Sequence, residues 1–377
     1  MSIRLLHTAD WQIGKQFSWI EGDAGALIRT QRLESVKRIA ELARGREVDA
    51  VLVAGDVFEM NTVSDETLRR TMDALSGYPG PWLLLPGNHD AALQESAWTR
   101  LSRIGLPGNV RLLLDFEPVI LKDRKLAVLP APLTRRHEAR DLTEGFTAME
   151  SPEGAVRVGL AHGSVENRLP DSAELHNPIS DRRADESGLE YLALGDWHGT
   201  LEIANRTWYA GTHETDGFRD NDSGNVLLVE IDGPGATPRV EKVQTTHYQW
   251  SHKSHEVHGS DDIKLLEADL AALGQPFERH VLRLDLRGAL DLAGHGELQA
   301  LLDTWRARLR YLRASDSGVL VSPSEEDLDR MGASGFVSRA IERLRDMAKD
   351  PDPGKSAQAG AALQRLYVEY MTLTGRG

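Results

Sequence analysis

Short apolar runs, each followed by polar residues, recur along the chain before residue 245. Residues 3–9, 49–54 and 82–85 are apolar and are typical of buried strands. Between them, apolar positions recur at helical spacing over about 27–44 and after the capping residue Ser64. This alternation of strand and helix predicts parallel βαβ units with helices on both faces of a sheet. Further strands are predicted at 111–114, 118–121, 125–129, 156–161, 191–194, 207–210, 226–231 and 239–243.

Polar side chains stand where several of these strands end. The set contains carboxylates, imidazoles and one amide: Asp10, Asp56, Asn88, His89, His162, Asp196 and His198. Because the carboxyl ends of parallel strands meet at one edge of a sheet, these groups can converge on one pocket. The alternative is a scattering of unrelated hydrogen-bonding residues, which the ordered recurrence makes the weaker interpretation.

The donor types in this set indicate a metal centre. Oxygen and imidazole ligands suit Mn²⁺, Fe²⁺, Mg²⁺ or Zn²⁺ rather than copper(I) or iron–sulfur clusters. Two cations about 4 Å apart need a bridging carboxylate, and Asp56 at the end of the second strand is the natural candidate. Such a pair would activate a water and stabilise both oxygens of an in-line displacement at phosphorus.

Composition and charge argue against some classes of protein. The chain has 377 residues, no cysteine and a net charge of −14. A protein that grips nucleic acid unaided usually has a basic footprint, so this balance argues against a simple DNA-coating protein. It does not argue against an enzyme whose local positive field comes from bound cations. Because no apolar run reaches the roughly 20 residues of a membrane span and the amino terminus has no signal-peptide pattern, we expect a cytoplasmic protein without membrane contact.

A change of texture after Thr245 predicts a division into domains. Residues 1–245 are expected to form the first domain, and the polar stretch 246–260 a linker. Helix, strand and helix patterns then predict a small α/β domain at 261–320. Only helical patterns follow, which predicts a C-terminal helical segment at 321–377.

Five motifs in this order resemble those of the calcineurin-like metallophosphoesterases. They are DWQ at 10–12, GD at 55–56, GNHD at 87–90, HG at 162–163 and GDWH at 195–198. Within that superfamily, HTADWQIG, GDVFE and LALGDWHG are most similar to the SbcD-type DNA nuclease subunits. The resemblance implies an α/β fold of the four-layer type, in which mixed sheets are flanked by helices, with a small α/β capping domain and C-terminal helices.

The resemblance also implies which residues bind metal. It places Asp10, Asp56 and His198 on one divalent cation. It places Asn88 and His162 on a second cation, with Asp56 bridging the two.

Two positions depart from the family pattern. Gln12 stands where the family has the histidine of DxH, and Asp196 where it has the first histidine of GHxH. Gln12 can offer only a neutral amide oxygen, so its cation should bind more weakly. Asp196 offers a hard anionic oxygen, which shifts the preference toward Mn²⁺ or Mg²⁺. We therefore predict an oxygen-rich pair of divalent cations with uneven occupancy, Mn²⁺ before Mg²⁺ or Fe²⁺.

Other residues near these ligands are candidates for acting on the substrate. By resemblance, His89 is the general acid to the leaving oxygen and Asp90 orients it. The substrate contacts that we expect are Trp11, Arg135, Arg136, Arg182, Arg183 and His213. For the arginines the alternative is a solvated rim, and for Trp11 it is a structural place beneath its loop.

Three functions fit these features. The first is a Mn²⁺-dependent DNA nuclease in DNA repair or processing, either exonuclease or endonuclease, working with the SbcC-type, SMC-like coiled-coil ATPase that the resemblance implies. A homodimer is also compatible with the sequence. The second is a phosphodiesterase for small nucleotides or other phosphoesters, and the third is a catalytically weak adaptor that docks DNA or an ATPase. The small second domain and the long basic loops favour the first function over the second.

Overall fold

The chain folds into two compact units. The computed structural model describes residues 2–169, 176–321, 327–328 and 336–374. The units are Met1–Tyr248 and Gln249–Gly377, and each has a buried apolar core of its own. Among the described helices, none combines the length and the hydropathy that crossing a bilayer requires.

Two six-stranded sheets form the first unit. Its strands are β1 (Ile3–Thr8), β2 (Ala50–Val53), β3 (Trp82–Leu84), β4 (Val110–Leu112), β5 (Val119–Leu121), β6 (Leu126–Ala131), β7 (Val156–His162), β8 (Ser164–Val165), β9 (Pro178–Ile179), β10 (Tyr191–Gly195), β11 (Leu201–Ala204), β12 (Thr207–Tyr209), β13 (Asn225–Ile231) and β14 (Arg239–Gln244). The first sheet has the order β14-β13-β1-β2-β3-β4 and the second β11-β12-β10-β7-β6-β5, while β8 and β9 pair separately.

The first sheet has antiparallel pairing at one edge only, whereas the second has it at both edges. Strands β1 to β4 run parallel, with β13 antiparallel to β1 and β14 antiparallel to β13. Strands β6, β7, β10 and β12 run parallel in the second sheet, with β5 and β11 antiparallel at its two ends. The parallel centres place the carboxyl ends of consecutive strands at one edge of each sheet.

The sheets face each other and are covered by helices outside. Leu52 and Leu83 of the first sheet share a buried cluster with Val158 and Tyr191 of the second. The outer face of the first sheet packs against three helices, and that of the second against shorter helical turns such as the one that contains Phe146. These elements are α1 (Asp23–Gly45), α2 (Asp65–Ala74), α3 (Ala97–Ile104), α4 (Arg183–Glu186) and the 3₁₀ turns Leu75–Gly77 and Leu142–Thr147. The predicted four-layer α/β architecture is confirmed.

The second unit is a smaller α/β structure followed by two helices. Its elements are β15 (Gln249–Val257), α5 (Ser260–Ala271), the 3₁₀ turn Phe277–Arg279, β16 (His280–Leu290), α6 (Leu292–Arg308), β17 (Tyr311–Val321), α7 (Phe336–Ala348) and α8 (Pro353–Thr374). The three strands form a parallel sheet in the order β15-β16-β17. Leu266, Leu284 and Trp305 belong to its core.

The predicted linker at 246–260 is wrong over most of its length. Residues 249–257 form β15, which pairs in parallel register with β16. His252, Ser254 and Glu256 are exposed and alternate with less exposed positions, so the period of two is present but is carried by polar residues. The prediction relied on apolar runs, and a strand with one solvent-exposed polar face does not contain such a run.

The helical patterns near the carboxyl terminus correspond to α7 and α8. Ile341 of α7 and Leu363 and Tyr367 of α8 belong to one buried cluster, so the two helices pack on each other. Of the predicted helical segment 321–377, residues 322–326, 329–335 and 375–377 lie outside the described residues.

Candidate metal centre

Strand ends from both sheets of the first unit meet at one place. Asp10 follows β1, Asp56 follows β2, His162 ends β7 and Asp196 follows β10. The ligand atoms of Asp10, Asp56 and His162 all lie within 4.8 Å of one another, and the three residues are buried. Segments far apart in sequence therefore supply the donors of a single site.

The backbone at this site adopts conformations that L-residues rarely use. Asp10 and Asp56 both have φ of 52°, Gln12 has φ of 43°, and Asp196 has φ of 108°. Such conformations cost energy and collect at functional sites, where the surrounding fold holds them in place. Position 87 requires glycine because a Cβ there would overlap the carboxylate and the backbone amide of Asp56. The loops thus fix the directions of the acidic side chains.

One half of the site, which we name the Asn88 side, consists of Asn88, His162, Asp56 and Asp196. His162 Nε2 lies 2.7 Å from Asn88 Oδ1. The same nitrogen is 3.6 Å from Asp56 Oδ1 and 3.8 Å from Asp196 Oδ1. Four donor atoms therefore point at one small volume.

The hydrogen bonds of His162 suit a cation on this side. Its Nδ1 donates to the carbonyl oxygen of Ala54 at 2.8 Å. Its Nε2 also faces an acceptor, so the ring is held as an imidazolium unless a cation takes the place of the Nε2 proton. Burial lowers the pKa of His162, but carboxylates led by Asp56 outweigh it and raise that pKa to about 9. The donor set fits a divalent cation bound through Nε2.

The carboxylates have the same need for positive charge. Burial is the largest cause that raises the pKa of Asp10, to about 7, and Asp56 and Asp196 add to it. Burial likewise raises the pKa of Asp196, although Ser164 Oγ donates to its Oδ2 at 2.7 Å. The backbone amide of Asp196 donates to Asp10 Oδ1 at 3.1 Å. Buried like charges this close are stable as anions only beside a cation.

The other half, which we name the Gln12 side, consists of Gln12, Asp10 and His198. Gln12 Oε1, the predicted ligand atom, accepts a hydrogen bond from Lys15 Nζ at 2.9 Å. Lys15 Nζ is also 2.6 Å from Asp216 Oδ2, and His198 Nδ1 lies 3.5 Å from the same oxygen. Burial lowers the pKa of His198, but the Asp216 carboxylate outweighs it and raises that pKa. These side chains already have partners, so this side fits a cation less well.

His89 stands beside the Asp56 carboxylate with its ring partly exposed. Its Nδ1 donates to the Glu59 carbonyl oxygen at 2.9 Å, and its backbone amide donates to Asp56 Oδ1 at 2.9 Å. Its Nε2 lies 3.9 Å from Asp56 Oδ2 and is the nitrogen turned to the site. The orienting contact therefore comes from Glu59 and not, as predicted, from Asp90. Asp90 is buried and accepts from the amides of Phe58 at 3.0 Å and Gly87 at 2.7 Å, which shapes the loop.

Comparison with known proteins identifies the domain that carries these residues. Residues 3–164 match the family model described as calcineurin-like phosphoesterase. The chain carries a calcineurin-like phosphoesterase domain. The matched range contains Asp10, Asp56, Asn88, His89 and His162.

Curated proteins similar to the chain have names that refer to a nuclease or to DNA repair. The chain is 33% identical over 177 residues to the SbcD component of the nuclease SbcCD from Rhodobacter capsulatus, which covers 42% of the chain and 41% of that protein. It is 24% identical over 260 residues to the DNA double-strand break repair protein Mre11 of Methanosarcina acetivorans, covering 65% of the chain and 39% of that protein. The chain thus spans about two fifths of the length of these relatives.

Three of the predicted substrate contacts are buried in the phosphoesterase unit, so those predictions are wrong. Trp11 donates from Nε1 to Thr8 Oγ1 at 2.8 Å and packs edge-on against Trp82. His213 Nε2 faces the carbonyl oxygen of Arg32 at 2.8 Å and is inaccessible. Arg183 is also buried, as the next contacts show. Aromatic and polar residues beside a ligand look the same in sequence whether they face solvent or the core.

The four arginines that were predicted to contact substrate include one buried and three exposed side chains. Arg183 Nη2 lies 2.7 Å from Asp141 Oδ2, and its Nε donates to Thr143 Oγ1 at 2.9 Å, so this arginine ties two loops together. The side chains of Arg135 and Arg182 are 69% and 76% exposed, and Arg136 is exposed too. These three arginines stay predicted substrate contacts.

Four features of the phosphoesterase site were missed from the sequence. Ser164 follows His162 by two residues, so its place beside the site could have been found from that strand end. Lys15 and Asp216 are 201 residues apart, and no pattern links them. The carbonyl oxygen of Glu59 acts through the backbone, which no residue type reveals.

Proposed function

We propose that the chain is a divalent-metal-dependent DNA nuclease that hydrolyses phosphodiester bonds in DNA repair or processing, with Mn²⁺ as its preferred ion. The phosphoesterase domain and the names of the similar proteins support this proposal. The observation that carries it is the convergence of Asp10, Asp56 and His162 within 4.8 Å, from strands of two different sheets. Oxygen donors outnumber nitrogen donors in this set, which favours Mn²⁺ or Mg²⁺ over Zn²⁺.

The residues of the chain would hold the cations and handle the protons. Asp56, Asn88, His162 and Asp196 hold a cation on the Asn88 side, with Asp10 next to them. A bound divalent cation supplies Lewis acidity that lowers the pKa of water and stabilises charge on phosphate oxygens.

His89 would protonate the leaving oxygen. The Glu59 carbonyl holds Nδ1–H, which aims Nε2–H into the site. Asp56 Oδ2 lies 3.9 Å from Nε2, on the side of the ring that faces the site. Asp56 Oδ1 also accepts a hydrogen bond from the His89 backbone amide at 2.9 Å, so this carboxylate helps to position the acid.

Contact with DNA would be local and shared with a partner. The exposed Arg135, Arg136 and Arg182 would contact phosphates, whereas the net charge of −14 argues against DNA binding through a broad basic footprint. We propose that an SbcC-type, SMC-like ATPase supplies further basic surface. Helices α7 and α8, on which Phe336 is 79% exposed, are the proposed contact for that partner. A homodimer stays a prediction from the sequence.

A second candidate is a phosphodiesterase for small nucleotides. A pocket of about 350 Å³ beside His198 favours it, with Lys15, Phe218 and Arg219 in its lining. This volume is in the range of small-ligand sites.

A substrate comparison after metal removal tests the proposal. The protein is stripped with EDTA, and Mn²⁺, Mg²⁺, Fe²⁺ and Zn²⁺ are each titrated against single-stranded DNA, double-stranded DNA and bis(p-nitrophenyl) phosphate. We expect DNA cleavage that is highest with Mn²⁺. Turnover of small diesters alone would establish the second candidate, and no turnover with any metal would contradict both and favour a DNA or ATPase adaptor.

A further inference from the structure

Lys15 occupies the position where the Gln12 side would need positive charge. Its Nζ donates to Gln12 Oε1 at 2.9 Å and to Asp216 Oδ2 at 2.6 Å. The side chain is 26% exposed, so the ammonium is held between two acceptors rather than extended into solvent. The amide oxygen that replaces the histidine of the family motif is therefore already in use.

Asp216 is fixed as the anionic partner of this lysine. Lys15 Nζ lies 2.6 Å and His198 Nδ1 lies 3.5 Å from Asp216 Oδ2. Arg32 Nη1 lies 3.7 Å from the same carboxylate. Arg32 also donates to the backbone oxygens of Trp11 at 2.9 Å and Asp10 at 3.1 Å, which couples this cluster to the ligand loop.

The two sides of the centre therefore differ in how their donors are used. On the Asn88 side, the imidazole, amide oxygen and carboxylates face one another around a common volume. On the Gln12 side, a divalent ion bound to Gln12 Oε1 would lie within a few ångströms of an ammonium group, and the two cations would repel. The amide oxygen also has no negative charge with which to offset that repulsion.

We propose that the Lys15 ammonium serves as a built-in cation on the Gln12 side, so that the resting domain holds one divalent ion tightly, on the Asn88 side. This inference rests on the proposed metal-dependent function and adds to it the source of the unequal occupancy. The second ion binds weakly because it must displace Lys15 from Gln12. Removal of the ammonium, together with restoration of an imidazole at position 12, should produce two comparable sites.

Metal content and electron paramagnetic resonance of the full chain test this inference. Wild type, Lys15→Met and the double variant Gln12→His/Lys15→Met are loaded with Mn²⁺ and passed through a desalting column. Lys37→Met serves as the matched control, because Lys37 is an exposed lysine paired only with Glu34 of its own helix among the described contacts. Circular dichroism verifies that each variant is folded, and Lys15→Arg tests whether any cation at position 15 suffices.

We expect wild type, Lys37→Met and Lys15→Arg to retain one Mn²⁺ with the spectrum of an isolated ion. The double variant should retain two with an exchange-coupled spectrum, and Lys15→Met should bind the second ion about tenfold or more tightly than wild type. Two tightly held, coupled ions in wild type would overturn the role of Lys15 while leaving the proposed nuclease function intact. A double variant that still retains a single ion would also overturn it. No retained Mn²⁺ in any folded variant would overturn the metal-dependent function itself.

Discussion

The Asn88 side and the Gln12 side are built from similar residue types but differ in the partners of their potential ligand atoms. His162 Nε2 and Asn88 Oδ1 face each other at 2.7 Å. A cation bound beside them would reduce the electrostatic repulsion among the buried carboxylates of the site. Gln12 Oε1 is already satisfied by Lys15. A residue at a ligand position of a motif can therefore bind a cation well only where no other group already occupies its donor atom.

The largest effect is expected at Asp56, the residue that both sides would share. Asp56→Asn keeps the size of the side chain but removes the charge, so we expect DNA hydrolysis to fall at least about 10³-fold. Initial rates under saturating Mn²⁺ measure this, with Asp73→Asn on the exposed face of α2 as the matched control. A loss of less than tenfold would show that the two sides do not depend on a common carboxylate.

His89 tests whether proton delivery is separable from metal binding on either side. His89→Gln should slow DNA hydrolysis by about 10²–10⁴-fold, because the leaving oxygen of DNA needs a proton. Nitrophenyl esters leave without one, so their hydrolysis should fall much less. His258→Gln, on an exposed histidine of the second unit, is the control. Equal losses on both substrates would rule out a general-acid role.

A paired substitution compares the two sides directly. Asn88→Ala should weaken the tight Mn²⁺ site by at least about 10–100-fold, because loss of even an outer-shell partner of a metal ligand has that effect. Gln12→Ala should change that affinity less than about threefold, because the Gln12 oxygen is engaged by Lys15. Isothermal titration calorimetry measures both affinities. A greater loss for Gln12→Ala would reverse the assignment of the two sides.

The pH dependence of metal affinity tests whether a cation on the Asn88 side displaces the Nε2 proton of His162. The pKa of His162 is raised to about 9, so below that pH a cation at Nε2 must displace a proton. Affinity should therefore rise about tenfold per pH unit and level off above about 9. Because the pKa of Asp10 is raised to about 7, the slope should be steeper below that pH. Titrations in buffers of different ionisation enthalpy count the released protons, and a flat profile between pH 7 and 9 would contradict this.

The fold was predictable to the extent that it depends on apolar runs. Strands β1, β2, β3, β7 and β10 are buried over nearly their whole length, so their places along the chain and their parallel direction were predictable from the apolar pattern. Strand β15 was missed because its polar residues alternate on a half-exposed sheet. Pattern analysis detects burial better than it detects strand pairing.

Some residues of the candidate site were also predictable from the sequence, whereas others were not. Residues that directly follow a strand, such as Asp10, Asp56 and Asn88, were predictable because the strand carries them to the sheet edge. The burial of Trp11 and the contact between Lys15 and Asp216 were not, because they depend on how loops distant in sequence fold over the edge. The sequence showed which groups are near the metal centre but not which of them are already paired.

The most direct measurement is anomalous diffraction at the manganese edge from crystals grown with Mn²⁺. We predict a strong peak in coordination contact with His162 Nε2, Asn88 Oδ1 and Asp56, and a weaker or absent peak beside Gln12. No peak at the Asn88 side in millimolar Mn²⁺, with these side chains turned away from one another, would contradict the existence of the metal centre.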